Sequence, residues 1–200
     1  MRCAAALAFA LALPGAGAAT LELEVLGRDG KPLPEAVVFL ESAAARAASR
    51  PLAGVEIEQA GKRFTQRVTV VPVGTAVSFP NRDTVRHHVY SFSPAKTFEL
   101  KLYIGTPASP VVFDKAGIAV LGCNIHDTMA AWVVIVETPH HGLTGADGRA
   151  RLADVPPGSY RLRSWHPALP VGAPALDQPL QLSADGQKLT LRLPVNASDG

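Results

Sequence analysis

The sequence predicts an all-β protein built from two small sandwiches. Three observations carry this. Short runs alternate between apolar and polar residues, as in Leu21-Glu22-Leu23-Glu24-Val25-Leu26 and Gln187-Lys188-Leu189-Thr190-Leu191-Arg192-Leu193. Glycine, proline, aspartate and asparagine punctuate those runs at turn positions. About 180 residues remain after an apolar leader, which suffices for two small β domains.

Met1-Arg2 supplies a positive start, Cys3 to Leu13 a short apolar stretch, and Pro14 to Ala19 a small-residue cleavage region. Residues 1–19 therefore read as a secretory signal peptide, too short to span a bilayer. A lipoprotein cysteine would follow the apolar stretch, whereas Cys3 opens it, so Cys3 leaves with the leader. Cys123 then stands alone. A secreted chain with one thiol forms no internal disulfide, and that odd cysteine needs a chemical reason.

Leu21 to Leu26 forms a first strand, Arg28-Asp29-Gly30-Lys31-Pro32-Leu33-Pro34 a turn, and Ala36-Val37-Val38-Phe39-Leu40 a second strand. Ala43 to Ser49 is alanine-rich without an apolar stripe, a short helix or a linker. Val85 to Phe92 alternates as a strand, and Ala130-Ala131-Trp132-Val133-Val134-Ile135-Val136 is a buried one. Beyond Glu137 the Asp147-Gly148 turn and the Pro156-Pro157-Gly158 turn lead into further strands, and the chain closes on the alternating run at Gln187.

The chemistry concentrates in Gly122-Cys123-Asn124-Ile125-His126-Asp127-Thr128-Met129. A thiol, an imidazole and a thioether share one short loop. That is the ligand order of a blue-copper site, which needs a soft thiolate, two imidazoles and a weak axial thioether. The second imidazole must come from another strand, and His87 and His88 stand upstream in Val85-Arg86-His87-His88-Val89. Strand alternation lets only one of that pair face the metal. Zinc is the competing ion, but closed zinc sites use several cysteines and seldom a thioether.

From about Val55 to Glu137 the chain resembles the cupredoxins, and its Cys-x-x-His-x-x-Met loop resembles that of the amicyanin-type members. Arg67 to Arg82 is similar to the family's strand, turn and strand that end in an asparagine, here Asn81, shortly before the first ligand histidine. The resemblance implies a Greek-key sandwich at 55–137 holding one type 1 copper ion. His87, Cys123 and His126 would be its equatorial ligands and Met129 its axial one. Two departures stand out: Arg86 and His88 occupy the positions where the family carries proline and asparagine beside the ligand histidine. His88 is expected either to brace the cysteine loop or to point to solvent.

The segment after Glu137 resembles the carboxypeptidase regulatory-like, or transthyretin-like, sandwich. The opening features of that module sit at residues 21 to 40. This implies a discontinuous second domain, 20–45 and 138–195, with the cupredoxin domain inserted; a sequential arrangement is the rival. The whole chain resembles bacterial cupredoxin-containing proteins labelled methylamine utilization proteins, a label from which no methylamine chemistry follows.

Lys and Arg number 19 against 17 Asp and Glu, a formal net charge of +2, and no basic stripe with interleaved aromatics appears. Nucleic acid is therefore not an expected partner. After the leader no apolar run reaches transmembrane length, so a soluble periplasmic protein is expected. His140-His141 read as a solvated loop pair and His166, in Trp165-His166-Pro167, as an end-of-strand residue. With no phosphate loop, nucleophile elbow or clustered histidine pairs, the chain is not expected to be an enzyme. The expectation is a single-electron carrier between redox protein partners. The alternatives are a copper-handling protein, or an interaction module in which copper is structural.

Overall fold

A computed structural model describes residues 17–126 and 128–199. The signal-peptide reading falls almost wholly on residues 1–16, outside the described residues, as does Asp127 of the ligand loop.

The strands are β1 (Ala19–Leu26), β2 (Val37–Glu41), β3 (Val55–Glu56), β4 (Val68–Pro72), β5 (Thr75–Ser78), β6 (His87–Ser93), β7 (Lys96–Tyr103), β8 (Val111–Phe113), β9 (Gly117–Gly122), β10 (Ala130–Val136), β11 (His141–Leu143), β12 (Arg149–Val155), β13 (Gly158–Trp165), β14 (Leu176–Leu182) and β15 (Gln187–Arg192). The alanine-rich segment is a helix, α1 (Ala43–Ala48), capped by the Ser42 hydroxyl, which accepts from the Ala45 N–H. No helix among the described residues is long and apolar enough to cross a membrane.

The strands form four sheets, ordered β12-β1-β15, β11-β2-β13-β14, β4-β10-β9-β6-β7 and β3-β5-β8. The protein is an all-β layered sandwich. Leu21, Leu23 and Val25 of β1 turn one face inward, while Glu22 and Glu24 alternate outward beside Arg149, Arg151 and Lys188. β2 is buried from Val37 to Leu40 without alternation, because both of its faces are covered. The same is true of β10 from Val133 to Val136.

Those two doubly buried strands explain the stacking. Ala131, Val133 and Ile135 of β10 join one core with Val71, Phe79, Phe113 and Cys123. Val134 and Val136, on the opposite face, join a second core with Val37, Leu40, Leu162 and Trp165. The five-stranded sheet is thus covered on one side by β3-β5-β8 and on the other by β11-β2-β13-β14. At that junction the Trp132 and Trp165 rings lie 6.5 Å apart, and Arg67 stacks 5.1 Å over Trp132 while pairing with Glu35 at 2.9 Å.

The histidines outside the loop differ in part from the sequence reading. His140 and His141 are half-buried rather than solvated, because His141 opens β11, an edge strand of the second sheet, and the His140 ring meets Tyr160 edge-on. Burial lowers the pKa of both. His166 follows β13, as expected, but is almost fully enclosed. Its Nε2–H donates to the Pro34 carbonyl at 3.0 Å and its Nδ1 accepts the Ala168 N–H at 3.1 Å.

That pair of bonds uses the neutral imidazole, and desolvation holds the His166 pKa below its ordinary value. The unfolded chain takes up protons near pH 6.5 that the folded chain refuses, so stability is full above that value and falls below it. The urea midpoint of the copper-free chain is expected to drop between about pH 6.5 and pH 5. His166→Gln should make that drop shallower; an unchanged slope contradicts the assignment.

Candidate metal centre

His87 opens β6, Cys123 follows the last residue of β9, and His126 lies in the turn that leads to β10. Two antiparallel neighbours, β9 and β10, hold the loop at its ends: Gly122 pairs with Ala130, and the Met129 N–H donates to the His126 carbonyl at 2.9 Å. The turn is therefore closed within itself. β6 meets β9 where Tyr90 pairs with Gly122, which brings the start of β6 to the loop.

The ligating atoms of His87, Cys123 and His126 all lie within 4.8 Å of one another. Cys123 Sγ is 3.9 Å from His87 Nδ1, and the two imidazole rings are 5.1 Å apart, inclined at 61°. His87 and Cys123 are buried, and His126 is half-buried. Met129 is also buried and belongs to the same apolar cluster as Cys123.

A carboxylate that the sequence reading missed orients the first histidine. Asp83 Oδ2 accepts from His87 Nε2 at 2.8 Å, which fixes the proton on Nε2 and leaves the Nδ1 lone pair turned toward the thiol. Asp83 is itself fixed, accepting from the backbone N–H groups of Gly61 at 2.8 Å and Lys62 at 2.9 Å. Both of those residues adopt left-handed backbone, with φ of 61° and 57°, and so aim consecutive donors at one anion. The hydrogen bonds from His87 and from that turn keep the Asp83 carboxyl below its ordinary pKa. Such outer partners set the orientation and basicity of a ligand imidazole.

Asn81 fixes the loop that carries Asp83. Its Nδ2 donates to the carbonyls of Val85 at 2.9 Å and Tyr103 at 2.8 Å, and its Oδ1 accepts the Asp83 N–H at 2.9 Å. The Tyr103 hydroxyl in turn lies 2.8 Å from Phe79 O and 2.9 Å from Gln59 Oε1, and desolvation pushes its pKa up to about 12. A motif of Asn81, Asp83 and His87 at spacings of two and four was visible in the sequence, yet nothing in that spacing tells which way the carboxylate turns.

His88 does neither thing expected of it. Both histidines are buried, and the pairing of β6 with β7 shifts register between His87 and Val89. His88 turns away from the loop to lie beside the Tyr90 ring, with Nε2 2.9 Å from Glu99 Oε1 but misaligned for a hydrogen bond.

One atom points to a missing partner. His126 Nδ1 is buried and has no hydrogen bond in the structure. Leaving such an acceptor or donor unsatisfied costs about 1–3 kcal/mol, and buried polar atoms of that kind call for an explanation. A metal ion bound by this nitrogen supplies one. Thiolate and imidazole donors suit copper or zinc, and the buried thioether adjoining them is a soft donor that favours copper.

No protein-family model matches the chain, and no curated protein matches it. Among solved structures, it is similar to a reduced copper(I) form of an amicyanin variant at pH 4, with 19% identity and a TM-score of 0.39 over 50% of this chain and 98% of that one. A second reduced amicyanin variant gives 23% identity and a TM-score of 0.37, over 51% and 99%. A purple cupredoxin from Nitrosopumilus maritimus gives 20% and 0.36, over 41% and 99%.

Asp83→Asn is expected to weaken copper binding about 10- to 100-fold while leaving the far-ultraviolet circular dichroism unchanged. A chelator-competition titration measures this. Unaltered affinity would mean that Asp83 does not set the orientation of His87.

Proposed function

We propose that this protein is a type 1 copper electron carrier. His87 and His126, each through Nδ1, and Cys123 through its thiolate form the equatorial set, with Met129 in the axial position. The observation that carries the reading is the convergence of three donors from β6 and the β9–β10 loop, where the buried His126 Nδ1 has no hydrogen-bond partner. Copper, when bound, supplies a one-electron redox couple.

The residues of the chain do the rest. Asp83 holds one imidazole in the tautomer that presents Nδ1 to the metal. The closed His126 to Met129 turn and the β9–β10 pairing restrain the other donors. Burial of Cys123 and Met129 excludes water, which lowers the reorganisation that accompanies a change of charge. Near the half-buried His126, Ile125 is 49% exposed, and Val85 and Ile104 flank the Asn81 loop with apolar side chains in solvent. Exposed apolar side chains beside the loop suit brief docking of redox protein partners, with His126 as the exit edge.

The rest of the reading follows the sequence. We infer that residues 1–19 direct export and are removed, so that the carrier works in the periplasm. We read 55–137 as a cupredoxin domain inserted between the two parts, 20–45 and 138–195, of a transthyretin-like sandwich. In support, among the described residues β1 and β2 pair with no strand before β11. The role is transport of electrons rather than catalysis.

The copper(II)-loaded protein is expected to show an intense thiolate-to-copper band in the visible spectrum, absent from Cys123→Ser. A weak band in the parent protein removes the type 1 assignment. Met129→Gln is expected to shift the reduction potential, measured by voltammetry, more than it changes affinity. A potential that stays in place would show that the thioether is not axial.

A further inference from the structure

Four turns, at residues 60–63, 81–86, 104–110 and 123–129, meet at the end of the five-stranded sheet that holds the candidate metal centre. Backbone bridges tie Gln59 to Asn81 and Asn81 to Gly105, Asp83 links the first turn to His87, and His87 meets Cys123 and His126. Val85, Ile104 and Ile125 put apolar side chains in solvent on three of these turns. The same turns carry four exposed cations, Lys62, Arg63, Arg82 and Arg86. Arg86 directly precedes His87, and Arg63 shares a cleft with Thr128 of the ligand loop. Only two acids, Asp83 and Asp127, stand on the four turns against them. Asp83 is turned inward, with its side chain 17% exposed and its oxygens taken up by His87, Gly61 and Lys62. Arg82 pairs with Glu58 at 3.0 Å, but no carboxylate among the described residues pairs with Lys62, Arg63 or Arg86. On the outer face of β12-β1-β15, by contrast, Arg149 and Lys188 are answered by Glu24 and Glu22.

Lys62 adds an independent observation. Its backbone is left-handed, with φ of 57°, and its N–H holds Asp83. Glycine would present the same N–H at lower conformational cost. What lysine adds at this position is a positive charge in solvent beside the metal centre.

We propose that this end of the molecule docks a redox protein through an acidic face, with Lys62, Arg63 and Arg86 steering the approach and the exposed apolar side chains closing the contact. The inference names the partner of the site read above as an electron carrier, and rests on that reading. Exposed cations beside an apolar patch raise the encounter rate and select a partner by the sign of its charge, more than they add affinity. That suits a complex that must form and part quickly.

Two probes of opposite charge test the sign. Stopped-flow oxidation of the copper(I) protein is followed with hexacyanoferrate(III), an anion, and with tris(phenanthroline)cobalt(III), a cation; in each case one electron passes from copper(I) to the probe's metal(III), giving copper(II) and metal(II). The ratio of the anionic to the cationic rate constant is expected to fall about tenfold when salt is raised from about 0.01 M to about 1 M. At low salt the combined Lys62→Gln, Arg63→Gln, Arg86→Gln variant is expected to lower that ratio by a similar factor. Taking the ratio removes any change in driving force, which moves both rates the same way. A second arm needs no copper: amide shifts of the copper-free protein on titration with an octa-aspartate peptide are expected to fall on residues 60–63, 82–86 and 124–126, and to vanish in the triple variant. A rate ratio indifferent to salt overturns the proposal, as does a peptide that binds elsewhere or not at all. If the copper protein lacks its intense visible band, the electron-carrier reading falls and the peptide titration alone decides whether this end takes an acidic face.

Discussion

The burial of β10 on both faces is the constraint on which the rest of the structure depends. Val133 and Ile135 are locked in the core beneath β3-β5-β8, and Val134 and Val136 in the core shared with β11-β2-β13-β14. A slip by one residue would exchange the two sets and break both cores at once, so the register is strongly specified. The ligand loop ends at the first residue of this strand. Its geometry is therefore inherited from two hydrophobic cores rather than from the loop itself.

The first histidine is held by a different device. Polar anchoring takes over where strand pairing is irregular: β6 shifts register just after His87, and Asp83, Asn81 and the left-handed Gly61–Lys62 turn secure the imidazole by hydrogen bonds. A left-handed lysine costs about 1–3 kcal/mol, which two charge-assisted bonds to one carboxylate offset. One donor is thus fixed by a polar network and the others by the strands and apolar core that flank the loop, and they converge because β6 and β9 meet at Tyr90 and Gly122.

Much of this was legible in the residues. The alternation at Leu21 to Leu26 and Gln187 to Arg192, the Asp147-Gly148 turn and the strand after Pro157 gave the elements in order, and the Cys123 to Met129 spacing led to the cluster. What was not legible depends on tertiary placement. Alternation argued that only one of His87 and His88 faces the loop, and only His87 does, but His88, expected to brace the loop or stand in solvent, is buried beside Tyr90. His140 and His141 looked like a loop pair because only long-range pairing with β2 makes β11 a strand. Asp83 lay hidden because the partner of a carboxylate is set by the backbone of a remote turn, here residues 61 and 62.

The central claim is that the donors are placed before the metal arrives. Crystal structures of the metal-free and copper(II)-loaded protein test it most directly. The account predicts that His87 Nδ1, Cys123 Sγ and His126 Nδ1 all contact the ion after moving by no more than about 0.5 Å, with the Asp83 to His87 hydrogen bond intact. Copper bound elsewhere, or bound only after the 123–129 loop refolds, would contradict it.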